Sequence, residues 1–151
     1  MIKSGILVVD DCYRILSEYQ NKTSPRNSKK PGDLFIKWAL RHAANAAHVN
    51  QVHVNETAEN WYLEFPDLQL QERFDPSDRV FAAVAHADPQ KPPIWQATDS
   101  KWRNWQQQLS AYGIEVDFLC ASDISRFYNK KFANKTRPWR APSKKLSEFD
   151  R

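Results

Sequence analysis

No apolar run in this 151-residue chain approaches the ~18–20 residues that cross a bilayer, so no membrane-spanning segment is expected. No positively charged, apolar and small-residue leader precedes the first apolar run, and a soluble cytoplasmic protein is therefore expected. Cysteine is scarce. Cys12 and Cys120 each border an apolar run, and in a cytosolic setting two buried thiols are expected rather than a disulfide. No internal repeat is visible. No serine falls in a recognisable arrangement with His and Asp, which sets nucleophilic hydrolysis aside. His48, His53 and Glu56 have a spacing that straddles an expected strand, where side chains alternate sides, so zinc is not favoured there.

What is present fits a folded domain, since a chain of this length buries about two-thirds or more of its unfolded surface. The net charge of +4 is unevenly spread. Residues 126–151 carry nine Lys and Arg (among them Lys130 and Lys131) against Glu148 and Asp150, a net +7 that leaves −3 for residues 1–125. Phe127, Tyr128, Phe132 and Trp139 interleave with those charges. Basic residues with aromatics suit a polyanion such as single-stranded nucleic acid. The chain is accordingly divided into a domain over 1–125 and a basic, aromatic-containing extension over 126–151. A second basic segment, Lys22 to Lys30 with Lys29 and Lys30, lies in a polar, proline-bearing loop.

Gly5 to Val9 reads as a parallel strand buried on both faces. Ile15, Leu16 and Tyr19 follow at helical spacing. Asp33 suits the N-cap of a second helix bearing Leu34, Phe35, Trp38 and Leu40. A short strand is expected around Val49 to Val54, and Trp61–Pro66 reads as a short helix ended by its proline. Asp75 with Pro76 marks the start of an alanine-rich helix reaching about Ala87. Ile94–Ala97 reads as a strand, 101–112 as a helix stopped by Gly113, and 114–119 as a final strand. Strands alternating with helices imply an α/β fold, a three-layer α/β/α sandwich with a mostly parallel central sheet.

Three acids fall where such a fold gathers ligands, beyond the carboxyl ends of the strands. Asp10 ends the first strand, Asp78 opens the alanine-rich helix and Asp99 follows the strand at Ile94–Ala97. Each has a structural alternative. Asp99 or Ser100 can cap a helix, and Asp78 can mimic a capping box with Asp75. Asp10 is harder to dismiss, because an ionised group after buried aliphatics needs compensation from Arg14, Arg79 or a metal. The opening Ile6–Asp11 also looks like the first strand of a receiver domain. That reading lacks the phosphorylatable aspartate after Val52-His53-Val54, and a haloacid-dehalogenase reading fails at Cys12, where a second aspartate belongs.

The order and spacing of these segments resemble the PIN-domain family of metal-dependent ribonucleases, over roughly residues 5–120. The matching segments are Val8-Val9-Asp10, Asp78-Arg79-Val80-Phe81-Ala82-Ala83-Val84-Ala85 and Ala97-Thr98-Asp99-Ser100. Phe74–Ala85 is similar to one bacterial, toxin-like subgroup in particular. The resemblance implies a phosphodiester hydrolase that cuts single-stranded RNA, with Asp10, Asp78 and Asp99 holding Mg²⁺ or Mn²⁺. It also implies a fourth acid in mid-chain, for which Glu64 is favoured and Glu56 is the alternative. Arg79, Lys101, Lys29, Lys30, Lys130 and Lys131 are the expected phosphate contacts, and Thr98 or Ser100 is placed to orient a ligand. Lys101 stands where members often have another aspartate. That departure leaves a second implication open, a non-catalytic RNA- or protein-binding module with a degraded acidic site. Because the family contains many toxins of toxin–antitoxin pairs, a small antitoxin-like partner is also implied.

Overall fold

The computed structural model describes residues 5–23, 30–96 and 99–119, with Arg126 and Lys130 as isolated positions. The fold is mixed α/β. Strand β1 (Leu7–Asp10) pairs in parallel with β2 (Val49–Val52), Leu7 opposite Val49 and Asp10 opposite Val52. Between them run α1 (Arg14–Asn21) and α2 (Pro31–His42). The second parallel pair is β5 (Ile94–Gln96) with β6 (Val116–Phe118), joined through a 3₁₀ turn over Ser100–Asn104 and the short helix α5 (Gln106–Ser110). Helix α4 (Arg79–Ala87) packs on both β1 and β5. It can do so because Ala82, Ala83 and Ala85 are buried and leave little side chain between helix and strands. The strand expected over Gly5–Val9 is Leu7–Asp10, and only its last two residues are buried: Val9 and Asp10 are each 1% exposed, so the aspartate is as deep as the valine before it.

Several boundaries depart from the sequence expectation for identifiable reasons. Helix α2 begins at Pro31, not after Asp33. The fixed φ of Pro31 suits a first helical position, and Asp33 falls in the first turn, where a carboxylate complements the helix dipole. Trp61 and Tyr62 form strand β4, which pairs antiparallel with β3 (Glu56–Ala58), where a short helix was expected. Asn60 takes a left-handed conformation at the turn, and its N–H donates to the Glu56 carboxylate at 2.7 Å, so the hairpin closes locally. An unforeseen helix, α3 (Leu68–Arg73), follows, capped by Asp67 accepting from the Leu70 N–H. From α3 the buried Gln71 side chain accepts from the Tyr62 N–H at 2.8 Å and donates to the Tyr62 carbonyl at 3.2 Å.

The helix expected over 101–112 is split into the 3₁₀ turn and α5. A 3₁₀ turn eclipses residues three apart. Trp102 and Trp105 are therefore both buried, and Phe74 stacks on Trp105 at 3.9 Å while meeting Trp102 edge-on at 5.3 Å. These indoles belong to the core. Gly113 ends the segment at φ 81°, the left-handed value a helix stop requires.

Candidate functional site

Asp10 sits at the carboxyl end of β1 with α1 beginning immediately after it. One carboxylate oxygen accepts from the Cys12 N–H at 3.1 Å and the Arg14 N–H at 2.9 Å, and the other from the buried Ile15 N–H at 2.9 Å. The charge is thus compensated by the unpaired amides that every helix start presents. Neither expected guanidinium bonds to it. Arg14 donates to Glu56 at 2.7 Å. Arg79 is buried, donates to the Asn60 carbonyl at 3.3 Å and lies 4.1 Å over the Trp61 ring. Wrapping the amides round Asp10 forces Tyr13 into the left-handed region at φ 60°.

Around the same strand ends runs a chain of polar contacts. His53 Nδ1 lies 2.8 Å from Asp11 Oδ2, and its Nε2 lies 3.1 Å from Asn55 Oδ1. Asn55 donates to Glu64 through its backbone N–H at 2.8 Å and its side-chain amide at 2.7 Å, which turns its carbonyl oxygen toward His53. Both imidazole nitrogens therefore face acceptors, an arrangement that only a doubly protonated ring satisfies. The Asp11 hydrogen bond accordingly holds the His53 pKa above its usual value, and the His53 hydrogen bond holds Asp11 below its own. Of the two mid-chain acids, Glu56 is committed to Asn60 and Arg14, and these bonds depress its pKa. Tyr62, between these groups, is pushed up to about 12 by burial and then by the Glu56 charge.

Asp78 has a different environment. It lies in the 3₁₀ turn Pro76–Asp78, is 5% exposed, and makes no capping bond; nor does the Asp75 side chain. The capping-box alternative is therefore not what these residues do. Burial, reinforced by the nearby Asp99 charge, raises the Asp78 pKa to about 6. Glu18 adds to that push and Lys22 opposes it. Asp99 does cap, accepting from the Lys101 N–H at 3.1 Å. The Lys101 ammonium is ion-paired with Asp75 and stands 4.0 Å from Asp99.

The Asp99 charge thus adds to the burial that raises the Asp78 pKa, and Asp10 lies at a strand end among its own donors. Among the described residues, no three His, Cys, Asp or Glu side chains are grouped closely enough to share an ion. Lys30 and Lys130 are exposed, whereas Lys29, Lys131, Thr98 and Cys120 lie outside the described residues. Cys12 is exposed, not buried as expected, because it sits in the turn that encloses Asp10.

Sequence reasoning took Lys22 only as the start of a basic loop and did not pair it with Glu18 of α1, four residues earlier, from which its charge is 3.9 Å. Their spacing was visible, but their approach to the Asp78 turn depends on how α1 meets α4. It also overlooked the role of His53, whose partners lie 42 residues back and two ahead. Comparison of the chain with protein-family models, curated proteins and solved structures finds no match.

Proposed function

We propose that this chain is a Mg²⁺- or Mn²⁺-dependent endoribonuclease acting on single-stranded RNA, of PIN-like fold with both parallel strand pairs in one central sheet between helical layers. The observation that supports it most is Asp78: a buried carboxylate without a capping bond, whose pKa burial raises with help from the Asp99 charge. Such an arrangement is electrostatically unfavourable on its own and is relieved by a cation. The donors fit a hard ion, for carboxylate oxygens select Mg²⁺ or Mn²⁺ over softer metals. Two protein carboxylates suffice, because Mg²⁺ keeps most of its waters and takes further oxygens from phosphate.

Asp78 and Asp99 are the residues that would hold the ion, with Asp10 retaining acceptor capacity beyond its three amide bonds. When bound, such an ion stabilises charge on the phosphate and lowers the pKa of water. The chain's own contribution is orientation. Glu64 is fixed by two bonds from Asn55. Lys101, and the exposed Lys30 and Lys130, supply positive charge for the RNA backbone.

The test is incubation of the full chain with end-labelled single-stranded RNA and Mn²⁺. Cleavage should appear, disappear with chelator, and be lost in Asp78→Asn. Intact RNA under both Mg²⁺ and Mn²⁺ would refute the enzyme. One observation favours a second reading, a non-catalytic RNA- or protein-binding module: the Lys101 ammonium partly neutralises Asp99. RNA that is bound but never cut by wild type, and cut by Lys101→Asp, would establish that reading instead. In either case a small antitoxin-like protein remains the partner this family resemblance suggests.

A further inference from the structure

The turn that wraps Asp10 imposes a left-handed backbone on a residue whose side chain the turn does not use. Tyr13 has φ 60° and ψ 24°, left-handed backbone that a side chain with a Cβ adopts at a steric cost. Two other left-handed positions, Asn60 and Gly113, use the residue types that tolerate this conformation best. Lys91 is a further exception, but its ammonium donates to the His86 carbonyl at 2.8 Å, so its side chain has work inside the fold. The Tyr13 ring does not: the side chain is 47% exposed, and among the described residues it has no ring or hydrogen-bond partner. Only the Tyr13 backbone is engaged, its carbonyl accepting from the Ser17 N–H at 3.0 Å and the Ser17 hydroxyl at 2.7 Å.

The position of this ring is defined by the site. The N–H groups on either side of Tyr13, from Cys12 and Arg14, both donate to the same Asp10 oxygen. The tyrosine is therefore held between two bonds to the acid at the end of β1 while its side chain is 47% exposed. A bulky aromatic kept at a strained position beside Asp10, which the proposed function places at the edge of the metal site, has a chemical use there, since unstacked bases pack on aromatic faces regardless of sequence. We infer that Tyr13 is a base-stacking platform that holds a nucleotide of single-stranded RNA beside the Asp10 end of the site. This rests on the ribonuclease or RNA-binding reading above and names the residue that grips the substrate's base.

Binding of a fluorescent single-stranded oligoadenylate, followed by anisotropy in EDTA, separates this inference from catalysis. Three forms of the full chain are compared, each with its melting midpoint. Tyr13→Phe keeps the ring and should bind within about twofold of wild type. Tyr13→Gly removes the ring and relieves the backbone, so its midpoint should be unchanged or higher while affinity falls roughly tenfold. A glycine variant that binds as tightly as wild type overturns the platform but leaves the RNA reading standing. A glycine variant that loses binding and melts lower makes the ring a structural element and equally overturns it. If wild type itself does not bind the oligonucleotide, the RNA reading falls and the platform with it.

Discussion

Asp10 and Asp78 are buried to nearly the same degree, yet one is surrounded by donors and the other is pressed by negative charge. Beside Asp10 at the strand ends runs a chain of bonds through Asp11, His53, Asn55 and Glu64, with Arg14 bonded to Glu56. The turn holding Asp78 has Asp99 and Glu18 nearby and Lys22 as partial compensation. The contrast teaches that burial of an acid says little until its partners are counted. A satisfied carboxylate contributes to folding, whereas one left to repulsion keeps its free energy available for a ligand.

The largest effect that would break this comparison concerns activity. Asp78→Asn should reduce Mn²⁺-dependent RNA cleavage at least about 100-fold, since even the groups supporting a metal ligand cost 10–100-fold when lost. Full cleavage by this variant would remove Asp78 from the site.

Stability should respond next, and in opposite senses. Asp10→Ala strands the three N–H groups at the start of α1 and should cost about 4 kcal/mol, a fall of ~10 °C in Tm. Asp78→Asn in metal-free buffer above pH 7 should instead stabilise by roughly 2 kcal/mol, because the neutral amide escapes the penalty on the ionised acid. Urea titrations of the two variants measure both, and a loss of stability in each would erase the distinction.

The pH dependence sharpens the same point. The folded-state pKa of Asp78, about 6, exceeds its ordinary 3.8, so the native state holds the proton more tightly. Its contribution is present at low pH and declines as pH rises from about 4 to about 6. Urea titrations across that window should show the decline in wild type and its loss in Asp78→Asn, with added Mn²⁺ restoring stability above pH 6.

The smallest effect belongs to His53. Its pKa is raised by Asp11, so its stabilising contribution is complete below about 6.5 and fades as pH rises through the higher folded value. Ring-nitrogen NMR should show titration above the ordinary range, shifted downward in Asp11→Asn. An unshifted titration in wild type would mean the Asp11–His53–Asn55 contacts do not persist in solution.

Much of this architecture was legible in the residues. The aliphatic run before Asp10, the proline and alanines around Asp78 and the glycine at 113 each have one strong local solution, and the structure adopts it. The hairpin at Glu56–Tyr62 was not legible, because its closure depends on Asn60 turning left-handed and on the Glu56 carboxylate meeting the backbone. The split between the 3₁₀ turn and α5 was hidden for a related reason: it is set by two indoles packing round Phe74, a tertiary demand overriding helix periodicity. At the site, the identities of Asp10, Asp78 and Asp99 were readable, but not which of them would be satisfied. That depends on the amides supplied by the turn after β1 and on the approach of α1 to Asp78.

The two bonds between Gln71 and Tyr62 carry a separate implication for variation in this chain. One side-chain amide imitates a neighbouring backbone, giving and receiving at the same residue. A glutamate of the same length keeps the acceptor but brings a charge and no donor, while methionine fills the space and leaves both main-chain groups dry. Among side chains of that reach, glutamine alone can do both jobs, so position 71 should be far less tolerant of exchange than its place on a six-residue helix suggests.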